Sequence, residues 1–278
     1  AMKRVGFDTA QLTISAVHPA PQTYGYRNRC QLKTDGVQLG FISEHSHQIA
    51  PIDDCIVLND SCRNLLKTTL MQLPNTAWQS DPGKDFNVIE LDDELPPEAI
   101  HINQKRPFKQ GNTSQNLWMQ SWLRQKLAQN TALGKVVELF CGSGNFTQII
   151  AESNCTAILA YESESSAIQS LKARNFAKVN PQVADLFQPM IWKKIKKHVI
   201  DAETLVLDPP RSGLKKLQGF FDSFISLKTI FYISCNPETF ARDAWSFNQQ
   251  GWSIVDIQLV DLFPHTPHVE VVVEFKKI

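Results

Sequence analysis

Apolar and polar residues change rhythm about a third of the way along the chain. Up to about residue 105 they fall in short runs. "CQLKTDGVQLGF" sets Leu32 against Val37, Leu39 and Phe41 around Asp35-Gly36, a hairpin signal because Asp-Gly accepts the positive φ of a tight turn. "DSCRNLLKTTLMQL" switches to helical spacing. Asp60 or Ser61 serves as cap, Leu65, Leu66, Leu70 and Leu73 share a face, and Pro74 is the stop. "NVIEL" and "AIHINQ" read as further strands. Beyond this point short apolar runs alternate with helical stretches. The runs are "KVVELF", "AILAY", "PQVAD", "TLVLD" and "TIFYIS"; the helices between them include "ESSAIQSLKARNFAKVN" and "KKLQGFFDSFISL". Such alternation predicts right-handed crossovers and a parallel sheet. "SIVDIQLVDLF" and "HVEVVVEF" close the chain with no helix between them, so they should pair antiparallel at the end of the sheet. The predicted fold class is α/β. A Rossmann-like, seven-stranded mixed sheet occupies residues 106–278, and a smaller β-rich α+β domain occupies residues 1–105.

Composition narrows the function classes. The 278 residues are 42% hydrophobic and 20% charged, ordinary for a soluble protein. Lys+Arg and Asp+Glu are equal at 28 each, so there is no global basic field, and any grip on nucleic acid must be local. Three basic stretches qualify: Arg27, Arg29 and Lys33; Lys105, Arg106 and Lys109; and Lys193, Lys194, Lys196, Lys197 and His198. For any one stretch alone, a solvated face is the preferred reading. Six cysteines with no CxxC pair point to a reducing compartment. No apolar run reaches membrane-spanning length, and "AMKRVGFDTA" lacks the apolar stretch of a signal peptide, so a cytoplasmic protein is expected.

The candidate chemistry sits where the predicted strands end. In doubly wound sheets that edge holds the ligand. "VVELFCGSGNFTQIIA" gives strand, glycine turn and helix in order, with Gly142 and Gly144 letting backbone approach a ligand. Thr147 stands where a dehydrogenase would carry a third glycine. Glu162, 20 residues after Gly142, can bind both hydroxyls of a ribose. These residues indicate an adenosine-containing cofactor without separating S-adenosylmethionine from NAD. "LVLDPPRSGL" ends a strand on Asp208, with two prolines stiffening the exit. Amine methyltransferases carry an aromatic residue after a similar segment; Arg211 here argues against amino-group methylation. Cys235 ends the next strand in the same row. Pro237 can open a helix whose N–H groups would favour a thiolate. A buried inert thiol is the plain alternative; the position at a ligand-facing edge favours a nucleophile. Glu270 begins the last strand near His265 and His268, placed either as an exposed strand residue or as a base. A metal site is not expected, because no third ligand lies nearby.

Taken in order, "FKQGN", "ELFCGSGNF", "LDPPRSG", "YISCNPETFARD" and "FPHTPHVEVVV" resemble the S-adenosylmethionine-dependent RNA uracil-5-methyltransferases, which make 5-methyluridine in bacterial tRNA and 23S rRNA. The resemblance runs from about residue 24 to the end. "YGYRNRCQL" and "LGFISEHSHQIAPIDDC" are more similar to the ribosomal branch. It implies a class I methyltransferase domain over 106–278 and an RNA-contacting domain over 1–105. It implies Cys235 as nucleophile and Glu270 as base, with Gln110, Phe140, Asn145, Glu162, Asp185 and Asp208 lining the S-adenosyl-L-methionine site. It implies RNA as partner, rRNA ahead of tRNA, and a monomer that does not engage membranes. Many ribosomal-branch relatives hold an iron–sulfur cluster on four cysteines; only Cys55 matches a ligand position and only Cys30 precedes it, so no cluster is expected in this chain. Those relatives often begin with a small β-barrel RNA-binding domain; none is expected within these 278 residues, either because the protein lacks it or because it lies outside them.

Two rival readings remain. A dehydrogenase would share the glycine turn and Glu162 but leaves Cys235 and Glu270 without tasks. A non-catalytic RNA-binding module on the same fold predicts no binding of S-adenosylmethionine.

Overall fold

In a computed structural model of the chain, whose described residues are 1–5, 16–104, 106–215 and 217–277, the Asp35-Gly36 hairpin forms as predicted. Strands β1 (Arg29–Thr34) and β2 (Leu39–Ile42) pair antiparallel. Gly36 takes φ +89°, and Asp35 Oδ1 accepts the N–H groups of Val37 and Gln38, both at 2.8 Å. β3 (Ile49–Pro51) pairs with β2 and β4 (Asn87–Asp92) with β1, giving the order β3-β2-β1-β4. Helix α1 (Asp60–Leu70) buries Cys62, Leu65, Leu66 and Thr69. Its cap is Asn59, not Asp60 or Ser61: Asn59 keeps an extended backbone, and its side chain accepts the Cys62 N–H at 2.9 Å. Cys30 is buried in the same apolar cluster, where burial and the neighbouring Cys62 push its thiol up to about 12. "AIHINQ" forms no strand. Pro96 and Pro97 set a 3₁₀ turn over Pro97–Ala99, and only an isolated bridge between Ile102 and Ile89 follows. β3 escaped the sequence reading because it has three residues and ends on a proline.

These elements belong to one unit, Pro21–Ser114; Ala1–Ala20 and Gln115–Ile278 form the other. Carboxylates within the first unit match two of the basic stretches. Arg29 pairs with Glu90 and Asp92, Arg106 with Glu90, and Lys109 with Asp92, Asp93 and Glu94. Lys105 lies outside the described residues.

In the second unit, parallel strands β5 (Lys135–Leu139), β6 (Ala157–Glu162), β7 (Val179–Val183), β8 (Ala202–Leu207) and β9 (Thr229–Ser234) alternate with helices. The helices are α2 (Thr113–Gln129), which begins at the unit boundary, α3 (Thr147–Ala151), α4 (Ser165–Ala173), α5 (Ile191–Val199), α6 (Phe220–Ser223) and α7 (Pro237–Asn248). β10 (Trp252–Val260) and β11 (Glu270–Lys277) complete a seven-stranded sheet of order β10-β11-β9-β8-β5-β6-β7. β11 runs antiparallel to both its neighbours. The predicted mixed sheet and antiparallel final pair are therefore present.

Every residue of β9 is buried. Ile230 and Tyr232 join an apolar layer with Trp192, Phe220 and Phe247, while Phe231 and Ile233 join a layer with Met119, Trp122 and Phe146. Period-two alternation thus feeds two cores from one strand, each such side chain worth roughly 1.5–3 kcal/mol. β7 starts two residues earlier than the run "PQVAD" and tolerates Pro181 because it is an edge strand. In "KKLQGFFDSFISL" only the four residues of α6 are helical, and Lys216 lies outside the described residues. Gly219 caps α6 with φ +78°, and the phenylalanines go to packing against Trp192 and Phe247. α2 mixes polar residues into its buried face: beside Met119, Trp122, Leu123 and Leu127 it buries Gln115 and Gln120, while Leu117 is 58% exposed. No helix among the described residues is long and apolar enough to cross a membrane.

Candidate active site

Parallel strands deliver their carboxyl ends to one edge, and an antiparallel neighbour delivers its start there. Asp208 follows the last residue of β8, Cys235 follows the last residue of β9, and Glu270 opens β11. Val271 pairs with Ser234, so extending the register by one residue sets Glu270 opposite Cys235. Glu270 is only 3% exposed, and its Oε2 has no hydrogen-bond partner among the described residues. Burial, and then the Asp208 charge, push its carboxyl up to about 8 against the opposing pull of Arg211. Partly exposed Asp208 is raised to about 7 by desolvation and by Glu162.

The half-buried Cys235 thiol is pushed up to about 11, first by desolvation and then by the charges of Glu270 and Asp208; Arg211 acts in the other direction. The predicted thiolate-favouring helix start does not prevail. Asn236 takes the α7 N–H groups for itself, its side chain accepting from Glu238 at 2.9 Å and Thr239 at 3.4 Å.

Arg211 was noted in the sequence only as a departure from another family, yet it is the cation that bears on both groups. Its carbonyl accepts from Asn236 Nδ2 at 3.1 Å and Thr239 Oγ1 at 3.0 Å, and its guanidinium lies 3.4 Å from His268 Nε2. The loop after it is tied to α7 by buried Asp243, which accepts from the Leu214 N–H at 2.8 Å and Tyr232 Oη at 2.7 Å.

The glycine turn forms the neighbouring wall. Phe140 leaves β5 with φ +63° and packs 5.6 Å from Phe187, ring centre to ring centre. Gly142 and Gly144 are needed for different reasons. A Cβ on Gly142 would enter open space, whereas one on Gly144 would stand 2.6 Å from Leu171. Glu162 Oε2 accepts from the Gly142 N–H at 3.2 Å, and its Oε1 accepts from the N–H groups of Ser163 at 2.6 Å and Glu164 at 3.0 Å. The carboxylate is thereby fixed beside the open face of the turn, a cradle that fits a ribose-bearing ligand.

Asn145 faces α2 instead. Its amide exchanges hydrogen bonds with Asn116 at 2.9 Å and accepts from Gln120 at 2.9 Å. Asp185 lies two residues beyond β7, exposed, with Oδ1 accepting from the Phe187 N–H at 2.9 Å. Gln110 belongs to the first unit, where its carbonyl accepts from Asn28 Nδ2 at 3.0 Å. The structure therefore gathers Cys235, Glu270, Asp208 and Glu162 along one sheet edge and places Phe140 in the same turn.

One further buried group had a visible signal. Glu138 interrupts the apolar run "KVVELF", and Thr147 Oγ1 donates to it at 2.5 Å. Burial raises its carboxyl to about 8, opposed by that hydrogen bond. Thr147 thus fills the missing-glycine position with a tie to the strand.

An uncharacterised RNA methyltransferase of Nitrosomonas europaea is 57% identical over 277 residues, covering 100% of this chain and 70% of that protein. The 23S rRNA (uracil(1939)-C(5))-methyltransferase RlmD of Hahella chejuensis is 35% identical over 161 residues, 56% of this chain and 35% of that protein. The crystal structure of Pyrococcus abyssi tRNA (uracil-54, C5)-methyltransferase in complex with S-adenosyl-L-homocysteine shares the fold, with TM-score 0.66 and 21% identity over 99% of this chain and 79% of that one. A model of the tRNA (uracil-5-)-methyltransferase family matches residues 91–278, more than half of the sequence, and the chain belongs to that family.

Proposed function

We propose that this chain methylates carbon 5 of a uracil in RNA, using S-adenosyl-L-methionine, with Cys235 as nucleophile and Glu270 as base. The observation that carries the reading is the buried Glu270 carboxyl, one oxygen without a hydrogen-bond partner, facing the thiol-bearing end of β9 across a strand pair. A structural carboxylate would not be left in that state. Family membership and the Glu162–Gly142 cradle support the cofactor, whose ribose hydroxyls Glu162 would hold. Bound there, S-adenosylmethionine supplies an electrophilic methyl group.

Carbon 5 of uracil is too weakly nucleophilic to accept that methyl unaided. Cys235 Sγ bonds to carbon 6, and its proton passes to a carboxylate, with Asp208 the more acidic of the two beside it. The ring electrons move to the carbonyl as an enolate, whose charge Arg211 is placed to favour. Carbon 5 then takes the methyl, the enolate closing back to the carbonyl and the sulfonium leaving as the neutral thioether S-adenosylhomocysteine. Glu270 removes the carbon 5 proton, the electron pair re-forms the 5,6 double bond, and the Sγ–C6 bond breaks. General-base assistance of this kind is worth ~10²–10⁴-fold. The ring must leave its stack to reach a buried pair, so the target uridine lies in a splayed or unpaired segment.

We take 23S rRNA as the target, because relatives carrying the RlmD name match at 32–35% identity and the N-terminal motifs resemble that branch. Cys235→Ala should abolish methylation while calorimetric binding of S-adenosylmethionine persists. Retained 5-methyluridine formation would refute the nucleophile, and absent binding by the wild type would favour a non-catalytic module. Mass-spectrometric mapping of 5-methyluridine in rRNA and tRNA from a strain lacking the gene separates the two targets.

A further inference from the structure

We propose that the cleft between edge strand β7 and helix α5, which borders the cofactor edge at Asp185, binds the phosphate backbone of a single-stranded segment of the RNA substrate. The inference rests on the RNA reading above and adds a second contact surface to it. The cleft has a volume of about 670 Å³, within the ~300–1,000 Å³ of ordinary ligand sites. Lys194 and His198 line it from α5, Asn180 and Gln182 from β7, and Leu159 and Ile195 form an apolar floor. That combination suits a nucleotide chain: cations and amide donors for phosphate oxygens, and an apolar surface for a ribose or base. Asp185 is the carboxylate among the lining residues. It sits at the strand-end mouth, and its Oδ1 already accepts from the Phe187 N–H.

Charge selects the occupant. α5 reads "IWKKIKKHV", four lysines and a histidine with no acidic residue. Ile191, Trp192, Ile195 and Val199 are buried, which turns Lys193, Lys194, Lys197 and His198 outward in two adjacent rows. Among the described residues, none of these lysines lies within ion-pair distance of a carboxylate. Three lysines elsewhere in the unit, by contrast, are neutralised by carboxylates: Lys126 by Asp256 and Glu274, Lys135 by Asp201, and Lys228 by Glu203. In the other two basic stretches Arg29, Arg106 and Lys109 are paired with Glu90, Asp92, Asp93 and Glu94. In a chain of net charge +0, α5 is thus a local cationic surface with its charge unspent.

The test uses the full chain and a fluorescein-labelled 20-residue oligouridylate, with anisotropy followed against salt. Lys194→Glu/Lys197→Glu should weaken binding roughly tenfold at low salt and flatten the log Kd–log salt slope by about 1.4. S-adenosylmethionine binding and the melting temperature should not change. Lys3→Glu/Lys172→Glu carries the same charge change on surfaces away from the cleft and should leave the slope near that of the wild type. An unchanged slope in the α5 variant, or an equal loss in the control, overturns the site and leaves the face for a protein partner. Methylation by the wild type is scored separately: its absence defeats the RNA methylation reading itself, whereas a normal wild type with equal slopes defeats only the α5 surface.

Discussion

At the scale of single residues, the site is a balance between burial and charge. Glu270 and Cys235 are both held in their neutral forms near pH 7, the first at about 8 and the second at about 11. The proposed chemistry needs an ionised carboxylate to take the thiol proton and an ionised Glu270 to take the carbon 5 proton, so single-turnover methylation should rise steadily from pH 7 to pH 9; a flat profile would contradict these assignments. Stability runs the other way. A carboxyl whose pKa is higher folded than unfolded contributes stability fully below about 4.5, and loses it as pH climbs through about 8. Glu270→Gln removes that penalty. It should be more stable than the wild type at pH 9, by at most on the order of 5 kcal/mol, and show no such advantage at pH 4. Thermal melts at both values check this. None of that balance was legible in the sequence. The thiol and carboxylate were visible as residues at strand ends, but their protonation depends on Asp208 and Arg211 converging from a different strand, and on Asn236 satisfying the helix start.

At the scale of elements, the glycine turn offers the sharpest contrast. Gly142→Ala meets open space and pays only for a left-handed backbone, roughly 1–2 kcal/mol, yet narrows the cradle beside Glu162. Gly144→Ala adds a collision with Leu171 to a φ of +98°. The first variant should stay folded and bind S-adenosylmethionine weakly; the second should lose several degrees of melting temperature. Calorimetry and melting curves on the pair distinguish ligand approach from helix packing. The Asp208–Leu214 segment depends on α7 in a comparable way. Asp243→Ala strands the Tyr232 hydroxyl and the Leu214 N–H in a buried site, at a cost of about 1–3 kcal/mol each, and a melting curve should show it. Strands β5, β6, β8 and β9 were readable because buried parallel strands are nearly unbroken apolar runs. α2 was not, since its buried face carries Gln115 and Gln120, and the last of these holds Asn145. The four-residue α6 misled for the opposite reason: its apolar density serves an aromatic cluster and not a helical stripe.

At the scale of the whole molecule, the order of elements explains why the motifs meet. Glu162, Asp208 and Cys235 end parallel strands, while Glu270 starts a strand inserted antiparallel between β9 and β10. One sheet edge therefore collects residues more than a hundred positions apart, which is why strand ends were informative in the sequence. The central claim is a transient bond between Cys235 and carbon 6 of uracil, released only after Glu270 takes the carbon 5 proton. Its most direct test incubates the Glu270→Gln variant with S-adenosylmethionine and 23S rRNA, and resolves protein from RNA on a denaturing gel. The account predicts a heat-stable protein–RNA adduct carrying one transferred methyl group, lost again when Cys235→Ala is added; an unretarded Glu270→Gln band alongside normal RNA binding would contradict it.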